Sequence, residues 1–146
     1  MVEKLHAKVL LVDDEEDFLE SLSKRLETRG LKVKGATKGE DAVQMVDEED
    51  FDAIVLDLAM PGMDGLETLK KIREKHPEME IIMLTGNASI KTSVEAMKLG
   101  AEDYLEKPFD INELLEKISE AKSKHIIVLQ EKSKEKIENI LKTKSW

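Results

Sequence analysis

Ala53-Ile54-Val55-Leu56-Asp57 is a run of four apolar residues closed by a carboxylate. Residues 7–12 repeat the pattern and are closed by Asp13-Asp14, and residues 81–84 repeat it again before Thr85. Such runs are too short for helices and too continuous for half-wet antiparallel strands, so they predict buried parallel strands. Residues 31–35 and 103–106 are weaker strand candidates.

Helical periods lie between these runs. Phe18, Leu19, Leu22 and Leu26 recur at three and four, and Gly30 stops that helix. Ala42, Val43 and Val46 mark a second helix, and Leu66, Leu69 and Ile72 mark a third, closed by His76-Pro77. Val94, Met97 and Leu99 predict the apolar stripe of a fourth, closed by Gly100, while Ile111, Leu114, Leu115 and Ile118 open a fifth. Alternating strands and helices predict an α/β fold: a three-layer, doubly wound five-stranded parallel sheet.

Composition bounds the function. With 146 residues, 40% hydrophobic and 38% charged, the chain reads as one globular domain rather than a disordered one. A net charge of −9 argues against direct nucleic-acid binding. There is no cysteine, which removes disulfides and thiolate metal sites. No segment approaches the roughly 20 apolar residues of a membrane span, and the N-terminus lacks a signal-peptide core, so a soluble, cytoplasmic protein is expected.

Ligands of such sheets bind beyond the carboxyl ends of the strands. Asp13, Asp14, Asp57, Thr85 and Lys107 all fall there, which would gather three carboxylates, a hydroxyl and an ammonium at one cleft. Clustered carboxylates need a proton or a cation, and hard oxygen donors without His or Cys suit Mg²⁺. An aspartate can be a nucleophile toward phosphorus, and phosphoryl transfer chiefly needs positioning and charge stabilisation. Lys107 would supply a positive charge and Thr85 a hydrogen bond. Each residue also has a plainer reading. Asp ends strands and caps helices, Thr85 precedes a glycine, and a lone lysine is usually solvated. It is their coincidence at strand ends that favours chemistry.

The residues Val9-Leu10-Leu11-Val12-Asp13-Asp14, the stretch from Ile54 through Asp57 to Gly65, Ile82-Met83-Leu84-Thr85-Gly86 and Tyr104-Leu105-Glu106-Lys107-Pro108-Phe109 resemble the receiver domain of two-component response regulators. The resemblance covers about residues 6 to 121. It implies a flavodoxin-like fold with strand order 2-1-3-4-5, and Asp57 as acceptor of a phosphoryl group from a sensor histidine kinase or phosphotransfer protein. It further implies Mg²⁺ held by Asp14, Asp57 and the backbone carbonyl of Ala59, with Asp13 acting through water. Thr85 and Lys107 would contact the phosphoryl group, and Lys107-Pro108 would be cis. Thr85 and Tyr104 would form a switch pair that alters the face of the fourth helix, fifth strand and fifth helix toward a downstream protein. Ala59 and Asn87 would line the approach, and Gly65 and Gly86 would keep the loops from crowding it.

The resemblance implies a signalling phosphoacceptor, not an enzyme beyond its own phosphorylation and dephosphorylation. A phosphohydrolase with an aspartate nucleophile is the rival, but such enzymes carry a second Asp two residues on, where this chain has Ala59. A fragment of a longer DNA-binding transcriptional regulator is another reading. A flavin carrier is disfavoured, because an acidic cleft repels the cofactor's phosphate. Residues 1–121 are assigned to the receiver and 122–146 to a helical extension or linker. In that tail Ile137, Ile140 and Leu141 fall on one helical stripe, too little for a DNA-binding domain but suited to packing on the receiver or to a homodimer.

Overall fold

The computed structural model describes residues 6–58, 65–86 and 90–143. Five strands form one parallel sheet: β1 (Lys8–Val12), β2 (Lys32–Ala36), β3 (Ala53–Asp57), β4 (Ile81–Thr85) and β5 (Asp103–Glu106). Their order across the sheet is β2-β1-β3-β4-β5, so the chain reverses direction between β1 and β3. Register is tight at that reversal, with Val9 opposite Ala53 and Val12 opposite Leu56. β3 and β4 are buried along their whole length, as their unbroken apolar runs require, while the edge strand β2 is largely exposed and carries Lys32 and Lys34.

Alternation along each strand divides the core in two. Leu10, Val12, Ile54, Leu56, Ile81 and Met83 point to the face covered by α2 (Gly39–Glu48), α3 (Gly65–Lys75) and α4 (Ile90–Lys98). Val9, Leu11, Ala53, Val55, Ile82 and Leu84 point to the other face, covered by α1 (Glu16–Glu27) and α5 (Ile111–Thr143). Gly30 and Gly100 end α1 and α4 with φ of 96° and 103°, a region L-residues avoid.

Two expectations need adjusting. The second strand sits one residue later than its apolar pattern, because Leu31 is buried but its N–H bonds back to the Leu26 carbonyl of α1. The fourth helix also turns differently. Among its residues from Val94 onward Ala96 is the fully buried one, whereas Val94 and Met97 are exposed, because a small side chain lets α4 lie close to the sheet.

α5 is one helix of 33 residues. Ile111, Leu114, Ile118 and Ala121 are buried at spacings of three and four, and among the described residues none of the helix beyond Ala121 is fully buried. The helix then passes the amino ends of the strands. Lys122 donates to the His6 carbonyl, Lys124 pairs with Glu102, and Lys132 pairs with Glu78. No described helix is long and apolar enough to cross a membrane.

Candidate functional site

β1 and β3 are neighbours, so the residues that follow them meet at the carboxyl edge of the sheet. Asp13, Asp14 and Asp57 bring one carboxylate oxygen each within 4.8 Å of the others. Asp13 and Asp57 are buried, whereas Asp14 is exposed at the rim. Three anions this close, with all-oxygen donors and no His or Cys in the cluster among the described residues, fit a hard divalent cation that keeps part of its water shell.

Asp13 combines both readings of a strand-end aspartate. One oxygen accepts a hydrogen bond from the Glu15 amide at 2.9 Å, turning the chain into α1. The other accepts from Lys107 Nζ at 2.8 Å. Lys107 comes from the far side of the cleft, where its backbone N–H bonds to the Thr85 carbonyl at 2.7 Å. The Lys107-Pro108 bond is cis. The ammonium also stands 4.1 Å from the centre of the Phe18 ring, which meets Phe109 edge to face at 6.4 Å.

Thr85 ends β4, adjacent in the sheet to Asp57 at the end of β3. Its hydroxyl is buried without a hydrogen-bond partner among the described residues. An unpaired buried hydroxyl costs about 1–3 kcal/mol, a cost that a site meant to receive an oxygen acceptor can carry. On the neighbouring strand β5, Glu106 stands opposite Thr85, and Tyr104, opposite Met83, is 45% exposed.

Gly65 explains why α3 can start beside the phosphoacceptor candidate. A Cβ there would lie 2.3 Å from the Asp57 carbonyl oxygen and 2.4 Å from the Leu58 Cα, so only glycine fits. Its N–H caps the turn by bonding to the Leu58 carbonyl at 3.0 Å. At Gly86 a Cβ would meet nothing within 4 Å, so no described protein contact demands glycine there. Ala59 and Asn87 lie outside the described residues. Phe18 and Phe109 were not singled out by the sequence pattern as site residues. The only signal for them was scarcity, since two of the 3 phenylalanines in the chain flank the site motifs.

A second polar cluster lies at the opposite edge of the sheet. Glu80 precedes β4, Glu102 precedes β5, and their side chains share a hydrogen bond. Burial, with the Glu102 carboxylate beside it, raises Glu80 to about 7. Glu102 is held below the usual carboxylate range, chiefly by Lys124. Arg73 braces the same region by donating to the Pro77 and Gly100 carbonyls at 2.7 and 2.6 Å. A shallow cavity of about 440 Å³ lies here, with Val128 and Lys132 of α5 on one side and Glu80 and Glu102 on the other.

Comparison with known proteins agrees with the strand-end geometry. Residues 9–119 match the model of the response regulator receiver domain. A receiver domain protein (CheY-like) from Methanospirillum hungatei JF-1 is 34% identical, with a TM-score of 0.78, over 83% of this chain and 97% of that one. The receiver domain of the Francisella response regulator 1452 is 31% identical, with a TM-score of 0.75, over 80% of this chain and 97% of that one. NtrX from Brucella abortus is 29% identical with a TM-score of 0.79, over 86% of this chain but only 29% of that longer protein.

Proposed function

This chain belongs to the response regulator receiver domain family, and on that premise we propose that it is a signalling phosphoacceptor whose acceptor is Asp57. The observation that carries this reading is the meeting of Asp13, Asp14 and Asp57 within 4.8 Å at the sheet edge that also holds Thr85 and Lys107.

Receiver domains bind Mg²⁺ at an acidic pocket, and Asp14 and Asp57, with Asp13 through water, are the residues that would hold it here. The Ala59 carbonyl, expected as a further ligand, lies outside the described residues. Bound there, Mg²⁺ screens the carboxylates from an incoming phosphoryl group and neutralises its oxygens. The protein's own groups do the rest. An Asp57 oxygen forms the new O–P bond as the donor's N–P bond breaks, and the donor imidazole nitrogen keeps the electron pair. Lys107, now paired with Asp13, offers its ammonium to one phosphoryl oxygen, and the unpaired Thr85 hydroxyl donates to another. The donor is a sensor histidine kinase or a phosphotransfer protein.

Thr85 and Tyr104 form the switch. In this reading engagement of the Thr85 hydroxyl favours an inward Tyr104, and the 45% exposure of that side chain leaves it room to move. Val94, Met97 and Tyr104 leave apolar surface on the face made by α4, β5 and α5, which suits a downstream protein. The receiver occupies residues 1–121 and the extension 122–146, a division supported by the family match ending at 119 and by Ala121 as the last buried residue of α5. In the extension Ile137, Ile140 and Leu141 are exposed on one stripe and suit a homodimer. The likeness to NtrX favours a second reading, in which this chain is the receiver portion of a longer regulator.

Intact mass after incubation with Mg²⁺ and acetyl phosphate tests the proposal. The expected result is one added phosphoryl group, absent without Mg²⁺ and absent in Asp57→Asn. No adduct, even with beryllofluoride as a probe of the same site, overturns it.

A further inference from the structure

Asp13 and Phe18 leave the same β1–α1 connection and both reach Lys107. The ammonium is 2.8 Å from Asp13 Oδ2 and 4.1 Å from the centre of the Phe18 ring. Asp13 is itself held by the Glu15 amide on its other oxygen, so it does not follow a wandering lysine. The Phe18 ring is fixed in turn by Phe109, whose plane stands at 89° to it.

We infer that Phe18 is a positioning residue that aims Lys107 at the phosphoryl-binding cleft, an inference that rests on the phosphoacceptor reading of that cleft. A lysine carries much rotamer entropy on its four-carbon stem, and much of it is lost when the ammonium is fixed. A ring face under the ammonium attracts it and replaces part of its water, so that loss is incurred before the phosphoryl group arrives. Core packing holds one side of the ring, since Phe18 and Phe109 both pack against the cluster under α1 and α5, and the ammonium occupies the other. Phe18 is only half-buried, and the buried contacts of α1 are made by Leu22 and Leu26. In this role Phe18 acts through Lys107.

The test compares Phe18→Leu, Phe18→Tyr and Phe18→Trp in the full chain. In the native protein the Lys107 ε-protons should show an upfield ring-current shift that Phe18→Leu abolishes and the two aromatic variants retain. An unshifted native lysine overturns the inference whatever the chemistry does. The maximal rate of phosphorylation by acetyl phosphate, and beryllofluoride affinity, should fall roughly threefold to tenfold in Phe18→Leu. Half-saturating Mg²⁺ should stay unchanged, and Phe18→Tyr and Phe18→Trp should remain within about twofold of native by the same attraction. If all three variants lose equally, or Phe18→Leu loses nothing, Phe18 is packing only. If the native chain takes up no phosphoryl group or beryllofluoride, the function proposed above falls first, and this inference with it.

Discussion

The two ends of this sheet gather like charges and deal with them differently. At the carboxyl ends, Asp13, Asp14 and Asp57 sit within 4.8 Å around one lysine, with Asp14 open to solvent. At the amino ends, burial and the neighbouring Glu102 carboxylate raise Glu80, and Glu102 pairs with Lys124, beneath the extension of α5. Asp13 is held by the Glu15 amide and Lys107, and the three carboxylates open to solvent at Asp14, an oxygen donor set suited to a cation from outside. The longer glutamates reach their own neutralising partners, a closed arrangement that needs nothing. Carboxylate clustering alone therefore does not mark a functional site; oxygen donors that converge on one point beside a hydroxyl and an ammonium do.

Glycine substitution should separate the ends most strongly. Gly65→Ala drives a Cβ into backbone atoms at 2.3–2.7 Å and should cost roughly 3 kcal/mol in urea unfolding. Gly100→Ala meets the Arg73 side chain at 2.9 Å, which can swing away. What remains there is the strain of a φ of 103°, so about 1–2 kcal/mol is expected. Equal costs would mean that the backbone beside Asp57 is no more rigidly held than the opposite turn.

Metal dependence comes next. Mg²⁺ at 100 times its Kd should stabilise the native chain by about 2.7 kcal/mol, read as a shift of the urea midpoint. Asp14→Asn and Asp57→Asn should each remove most of that gain, while Glu102→Gln should leave it intact. A gain that survives the aspartate changes and disappears with Glu102→Gln would reverse the roles assigned to the two ends.

The aspartate end was legible in the sequence because its residues terminate apolar runs, and strand ends can be counted without knowing any contact. Asp13, Asp57 and Thr85 needed only the parallel order β2-β1-β3-β4-β5 to be brought to one edge. The glutamate end was not legible. Glu80 and Glu102 resemble any loop glutamates, and their partner Lys124 comes from a tail whose course no periodicity indicates. Phe18 was hidden for a related reason. It fits the apolar repeat of α1, and its contact with Lys107 crosses the whole chain. The inward face of α4 was misread because hydrophobicity favoured Val94 and Met97, whereas close packing chose Ala96.

Protonation offers a finer comparison. The folded chain raises Glu80 from the ordinary 4.5 to about 7. The native state therefore holds a proton between those values that the unfolded chain has released. Its contribution is fully present below about 4.5, declines as pH rises through the window and is gone above about 7. Solvent reaches this shallow cavity, so the span should be no more than about 1–2 kcal/mol. Glu80→Gln keeps a neutral hydrogen-bond donor toward Glu102 without a proton to lose. It should match the native chain at pH 5, exceed it at pH 8, and flatten the slope of thermal midpoint against pH. A slope that persists in Glu80→Gln would place the proton elsewhere.

The smallest effects belong to the outer half of α5. Lys132 reaches Glu78, but the pair is partly exposed, and such pairs contribute about 0–1 kcal/mol. Ile137 and Ile140 are 57% and 56% exposed, so they bury little apolar surface within the chain. Replacing both by glutamine should move the unfolding midpoint of a dilute sample by no more than about 0.5 kcal/mol. If the stripe pairs two chains, the same variant should lower the mass in solution at high concentration and make the midpoint independent of concentration. Unchanged mass would remove the homodimer from the proposal. A large loss of stability in dilute solution would mean that the stripe packs on its own receiver, which would make the outer helix a working part of the glutamate end.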